Sequence, residues 1–260
     1  MIAIIDDDGT TGTDDNHTGI RTFLHSKNIP LTYAVPSAAA GEGGKMTLAE
    51  LKSLVNDGDE VVMHGVTDND NTKTCSLAEF RTIVDTSIEW AQNNGFTSDV
   101  FVYPQGLQPS TGVDVNAKMA YLQSKGVKLA FNVNTSAESN ETEGFEDWYT
   151  YPNGNTYKGI YNKLPLVEMP NNYNKALLVN RAEINKTTNI SLAWWKKKID
   201  DLSDTNVFMC FFIHSYRSEF STLDTSGKTA TDYFKDTINY IVDNYSDKVK
   251  FVTASGLKNM

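Results

Sequence analysis

Three apolar runs in this chain end in residues that can bind a metal or move protons. Residues 2–5 lead into Asp6-Asp7-Asp8-Gly9, residues 60–63 into His64-Gly65, and residues 208–213 into His214-Ser215. Short apolar runs bounded by turn residues read as buried strands. In α/β sheets ligands bind at the carboxyl ends of the parallel strands. The spacing therefore brings three carboxylates and two imidazoles to one face, where they form a metal site, an acid–base site, or both.

The intervening segments supply the scaffold. Helical periodicity is expected after the first strand, over residues 19–28, and again over 46–56. There Thr47 with Glu50 three residues later has the form of a capping box. Ser76 and Glu79 repeat that signature ahead of a helix that stops at Asn93-Asn94-Gly95. A strand over 100–103 ends in Pro104-Gln105-Gly106, and helix 116–125 closes at Gly126 before a strand at 128–133. A short strand at 177–180, a helix at 192–202, a strong strand at 207–213, a helix at 233–245 and a last strand at 249–253 complete the alternation. About seven β-α units predict an α/β fold, a deformed or incomplete (β/α) barrel of about seven strands, in a single domain over residues 1–260.

Composition narrows the partners. The chain has 260 residues, 40% of them hydrophobic, enough for one large core. A net charge of −10 argues against nucleic acid or an anionic membrane as partner. No stretch approaches the roughly 20 apolar residues that span a bilayer. Cys75 and Cys210 are far apart, and Cys210 lies inside an apolar run, so no disulfide framework is expected. No basic-then-apolar leader precedes the first strand, which suits a protein not exported by a signal peptide, an excised mature domain or a virion-associated component.

Four motifs in order, Asp7-Asp8-Gly9, His64 with Asp68 four residues on, Tyr103-Pro104-Gln105-Gly106 and Ile213-His214, resemble the polysaccharide deacetylases of carbohydrate esterase family 4, the NodB-homology domain. The resemblance extends to the spacers, including Asn28-Ile29-Pro30-Leu31-Thr32, and covers essentially residues 2–255. It implies a metal-dependent hydrolase that removes acetyl groups from N-acetylated, less readily O-acetylated, polysaccharide outside the cell or at its surface. Carried over by residue, Asp7 is the general base, Asp8, His64 and Asp68 hold a divalent metal ion, and His214 is the general acid. The backbone N–H of Tyr103 helps to bind the oxyanion, and Pro104 and Gly106 lie on the substrate side. A metal held by three protein ligands keeps a place for water and lowers that water's pKa.

This chain departs from the family pattern in three respects. Asp68 stands where the family has its second metal histidine. Zn is first among the ions the resemblance implies, with Co also admissible, while the added charge makes harder ions such as Mn or Mg more competitive. Val100-Phe101-Val102 occupy the stretch where an arginine contacts the base, and no carboxylate is evident to tune His214. Strand alternation would also place Asp6 and Asp8 on one face, making Asp6 an alternative base.

Other readings stay open. Asp6-Asp7-Asp8-Gly9-Thr10 also resembles the nucleophile motif of haloacid-dehalogenase-type phosphatases, although no suitable later motifs follow. A catalytically inactive carbohydrate-binding or phage-tail-like structural descendant of the deacetylase fold is the main alternative. Residues 135–163 read as a long loop, in which Trp148, Tyr149, Tyr151, Tyr157 and Tyr161 are interleaved with Asn and Gly. Trp148 and Tyr151 are the candidates for stacking on sugar rings. His17 and His25 are expected at the surface without a role.

Overall fold

The computed structural model describes residues 1–9, 19–106, 115–133, 148–150, 156–158, 177–183, 209–216, 220–223 and 227–259. Its centre is a parallel sheet of strands β1 (Ile2–Asp7), β2 (Thr32–Val35), β3 (Glu60–Met63), β4 (Thr97–Val102), β5 (Leu129–Val133), β8 (Leu177–Glu183) and β9 (Met209–Ile213). β9 also pairs with β1, from Ile2↔Met209 to Asp6↔Ile213, so the sheet curls back on itself as a seven-stranded barrel. A short β10 (Phe251–Val252) pairs with the start of β1. This is the expected deformed barrel.

Strands β1 to β5 and β9 carry two apolar faces, as parallel strands covered on both sides must. One cluster holds Ala3, Ile5, Val62, Val102, Phe131 and Phe212 with Leu257 of a short 3-10 turn and no α-helical residue; it fills the barrel interior. The other joins Ile2, Ile4, Met63, Phe101, Tyr103 and Ile213 to helical residues such as Leu24, Leu51, Phe80 and Phe234. Those helices are α1 (Ile20–His25), α2 (Leu48–Asn56), α3 (Leu77–Asn94), α4 (Val115–Ser124) and α5 (Ala230–Tyr245). Both expected capping boxes form, Thr47 with Glu50 and Ser76 with Glu79, and α3 stops at Gly95 in a left-handed conformation (φ 75°).

One stretch differs from expectation. Within 135–163, β6 (Trp148–Thr150) and β7 (Thr156–Lys158) pair antiparallel, Tyr149 opposite Tyr157. Asn153-Gly154 between two runs of aromatic and β-branched residues is the sequence signal for such a hairpin. Tyr151, Tyr161, His17 and the expected helix at 192–202 lie outside the described residues.

Candidate active site

β1 delivers its acids to two different faces. Ala3 and Ile5 point into the barrel, and alternation carries Asp7 inward; Ile2 and Ile4 point to the helices, and Asp6 follows them. The strand ends at Asp7, and Asp8 takes a left-handed backbone (φ 76°), which breaks the alternation and returns its side chain to the inner rim. Asp6 accepts the backbone N–H of Ser215 at 3.2 Å instead. Burial, reinforced by the charges of Asp7 and Asp8, pushes its carboxyl well above the ordinary range, against the pull of the Ser215 bond. Asp6 is therefore set apart as a buried acid on the outer face, whereas Asp7 lies on the inner face with His214. The same separation keeps Asp6 and Asp8 from forming the paired carboxylates of the phosphatase reading.

His64, buried just past β3, reaches the same rim. Its Nδ1–H donates to the Val102 carbonyl at 3.0 Å, leaving Nε2 facing Asp8 Oδ1 at 3.4 Å. A carbonyl only accepts, so the proton belongs on Nδ1, and in the neutral ring two lone pairs meet across that gap. A cation between them resolves the conflict, whether a proton on Nε2 or a metal ion. A ring N–H held by a backbone carbonyl is also the usual support of a metal-ligating histidine. Burial alone would raise the Asp8 carboxyl; bonding and positive charge from His64, the Tyr216 hydroxyl and the charge of His214 outweigh it and hold Asp8 far below the ordinary range.

His214 completes the group from β9. Its Nε2 lies 4.0 Å from Asp7 Oδ2 and 3.9 Å from Asp8 Oδ2. Phe212 and Tyr216 pack edge-on against its ring, at 5.5 and 5.9 Å between centroids. Tyr216, half exposed, donates its hydroxyl to Asp8 Oδ2 at 2.7 Å. Sequence reading missed this residue; its one signal is an aromatic two positions beyond His214.

Two sequence expectations do not match the geometry. Asp68 does not join Asp8 and His64: its Oδ2 is held by Lys45 Nζ at 2.7 Å, and no group of three metal-ligating side chains stands together among the described residues. Lys45, also missed, donates further to the backbone carbonyl of Asp8 at 3.1 Å. Second, the Tyr103 N–H is already donated to the Phe131 carbonyl at 2.8 Å, extending the β4–β5 ladder. The Tyr103 ring is wholly buried on the outer face, edge-on to Phe101, and that burial raises its hydroxyl pKa. Tyr103 is accordingly a packing residue in this arrangement, not an oxyanion donor.

The loops after β3 and β4 interlock. Gly65 has φ 74°, and a Cβ there would come within 2.6 Å of Pro104 Cγ and 2.9 Å of Asp70 Oδ2. Pro104 is buried, which makes it a wall of the His64 loop, while Gly106 closes the turn with its N–H on the Tyr103 carbonyl at 3.0 Å. Asp70 caps the same loop, accepting from the Val66 and Thr67 N–H groups at 2.7 and 3.1 Å.

The donor chemistry fits a divalent ion at two positions, Asp8 and His64. Asp68 does not stand with them, but its Oδ1 is buried and has no hydrogen-bond partner among the described residues, so one of its oxygens is open to a cation.

No family model matches the sequence, and none of the curated proteins matches it. Solved structures do match its fold. A putative polysaccharide deacetylase from Mycobacterium smegmatis superposes with TM-score 0.61 at 13% identity, over 99% of this chain and 88% of that one. The Xyl-CE4 domain of a multidomain xylanase from the hindgut metagenome of Trinervitermes trinervoides gives TM-score 0.52 at 13% identity, over 99% and 89%. A mutant of a family 4 pseudoenzyme with restored enzymatic activity gives TM-score 0.50 at 11% identity, over 94% and 62%. The chain thus has the fold of the carbohydrate esterase family 4 polysaccharide deacetylases.

Proposed function

We propose that this chain is a hydrolase that removes acetyl groups from an acetylated polysaccharide, with N-acetyl preferred over O-acetyl, acting outside the cell or at its surface. The observation that carries this reading is the meeting of Asp7, Asp8, His64 and His214 on one rim, within 4.0 Å of one another along the contacts Asp8–His64, Asp8–His214 and Asp7–His214. Its structural neighbours, a putative polysaccharide deacetylase and a Xyl-CE4 domain, support the same chemistry.

Asp8 and His64 would hold a divalent cation, zinc ahead of manganese, cobalt or magnesium. Such an ion, when bound, polarises an acyl oxygen and makes its bound water more acidic. The protein's own part is proton traffic. Asp7, buried on the inner face, would take a proton from the attacking water. His214, with Nε2 within 4.0 Å of both Asp7 and Asp8, would pass a proton to the departing amine. Tyr216 and Lys45 orient Asp8 from its side chain and its backbone, respectively. Trp148, in the aromatic hairpin, remains the candidate sugar platform, with Tyr151 three residues on in sequence.

The ion pair on Asp68 favours a second reading, a descendant of the fold that binds sugar without turnover. Acetate release from N-acetylglucosamine oligomers separates the two. Protein stripped of metal should release none. Reloading with Zn²⁺, Co²⁺ or Mn²⁺ should restore release, and His64→Ala should abolish it. Silence with every ion from folded protein would favour the sugar-binding reading.

A further inference from the structure

We propose that Lys45 competes with the metal ion for Asp68, so that the ion is taken up only as the Lys45–Asp68 pair opens. This rests on the metal-dependent reading above. An ammonium 2.7 Å from one Asp68 oxygen, and 3.1 Å from the carbonyl of Asp8, puts a fixed positive charge on the very residues that a cation would use. The other Asp68 oxygen is buried and has no hydrogen-bond partner among the described residues, an arrangement that costs free energy until a donor or cation reaches it.

Lys45 is not a loose surface side chain. Its side chain is only 19% exposed. The next residue, Met46, donates its N–H to the Gly9 carbonyl at 3.3 Å and accepts from Gly41 at 2.8 Å. The backbone that bears the ammonium is thereby tied to the turn that follows Asp8. Held on the Asp8 carbonyl and Asp68, this lysine offsets part of the local negative charge when no ion is bound. The same charge opposes a divalent ion, since like charges a few ångströms apart repel.

Calorimetric titration of the metal-stripped chain with Zn²⁺ and with Mn²⁺ tests this without using activity. Lys45→Gln keeps a donor for the Asp8 carbonyl and removes the charge. It should bind the ion about tenfold more tightly, the order expected on releasing one partly exposed ion pair that also holds a backbone group. Adding Asp68→Asn to Lys45→Gln should reverse that gain, and Lys45→Arg, which keeps the charge, should titrate like the wild type.

Equal or weaker affinity in folded Lys45→Gln would overturn the proposal while leaving the metal reading intact. So would a gain that survives Asp68→Asn, or an Arg variant that binds as tightly as the Gln variant. Absence of binding in every variant would overturn the metal reading and the proposal together.

Discussion

The two ends of the barrel both bury carboxylates, and they treat them in opposite ways. At the amino ends of the strands, Asp59 receives Arg21 Nε at 2.6 Å, His25 Nε2 at 2.8 Å and the Leu31 N–H at 2.9 Å. Glu60 beside it receives Thr97, Thr32 and the Ser255 N–H, at 3.0, 3.3 and 3.0 Å. Both oxygens of each acid are thus engaged. At the carboxyl ends, His214 stands 3.9–4.0 Å from two carboxylates, His64 stands 3.4 Å from one, and Asp6 and Asp68 each keep a buried oxygen without a hydrogen-bond partner among the described residues. Satisfied acids hold structure; acids left short of donors are kept for something else to bind.

That contrast predicts that the two ends fail differently. Replacing His214 by Ala, or Asp7 by Asn, should lower kcat for acetate release by about 10²–10⁴-fold, as for loss of one acid–base partner. The thermal midpoint should stay within a few degrees. Collapse of the midpoint along with activity would place these residues in the same class as Asp59.

Asp59→Ala should do the reverse. It leaves Arg21, His25 and the Leu31 N–H without a shared acceptor, and a cost of about 2–4 kcal/mol is expected in denaturant unfolding. Turnover per folded molecule should hold. Gly65→Ala then tests where the rim depends on backbone. A left-handed non-glycine residue costs roughly 1–2 kcal/mol, and the close approach to Pro104 adds to it. A loss of about 2–3 kcal/mol is expected. Unchanged stability would mean that the two loops separate more readily than their contact implies.

How much of this the sequence reveals depends on the range of each interaction. The strand runs, the strand-end positions of Asp7, Asp8, His64 and His214, and both capping boxes are local patterns, and they were legible. Which β1 acid faces the site was not, because a positive φ at Asp8 overrides alternation. Lys45 and Tyr216 were invisible because they meet Asp8 across 37 and 208 residues of chain. His25 reads as a surface residue on a short helix, yet it pairs with Asp59, 34 positions away, and has a structural role. The aromatic hairpin was missed for a different reason. Its Asn153-Gly154 signal was present, but three-residue strands carry too little periodicity to stand out from loop.

The exposed acids of the helix caps form a third class, satisfied but in water, and they should show the smallest effect. Glu79 accepts the Ser76 N–H at 2.7 Å and the Ser76 hydroxyl at 2.8 Å. Those two bonds hold its pKa below the ordinary glutamate value. A carboxylate with a lowered folded pKa adds stability above its unfolded pKa and loses it as pH falls through the folded value. Glu79→Gln should therefore lower the thermal midpoint slightly at pH 7, and the difference from wild type should vanish below about pH 3. A difference that persists in acid would show that the bond geometry, not the charge, stabilises α3. The satisfied acids would then owe their contribution to shape at both the surface and the barrel's lower end, and charge would matter only at the rim where the histidines meet Asp7 and Asp8.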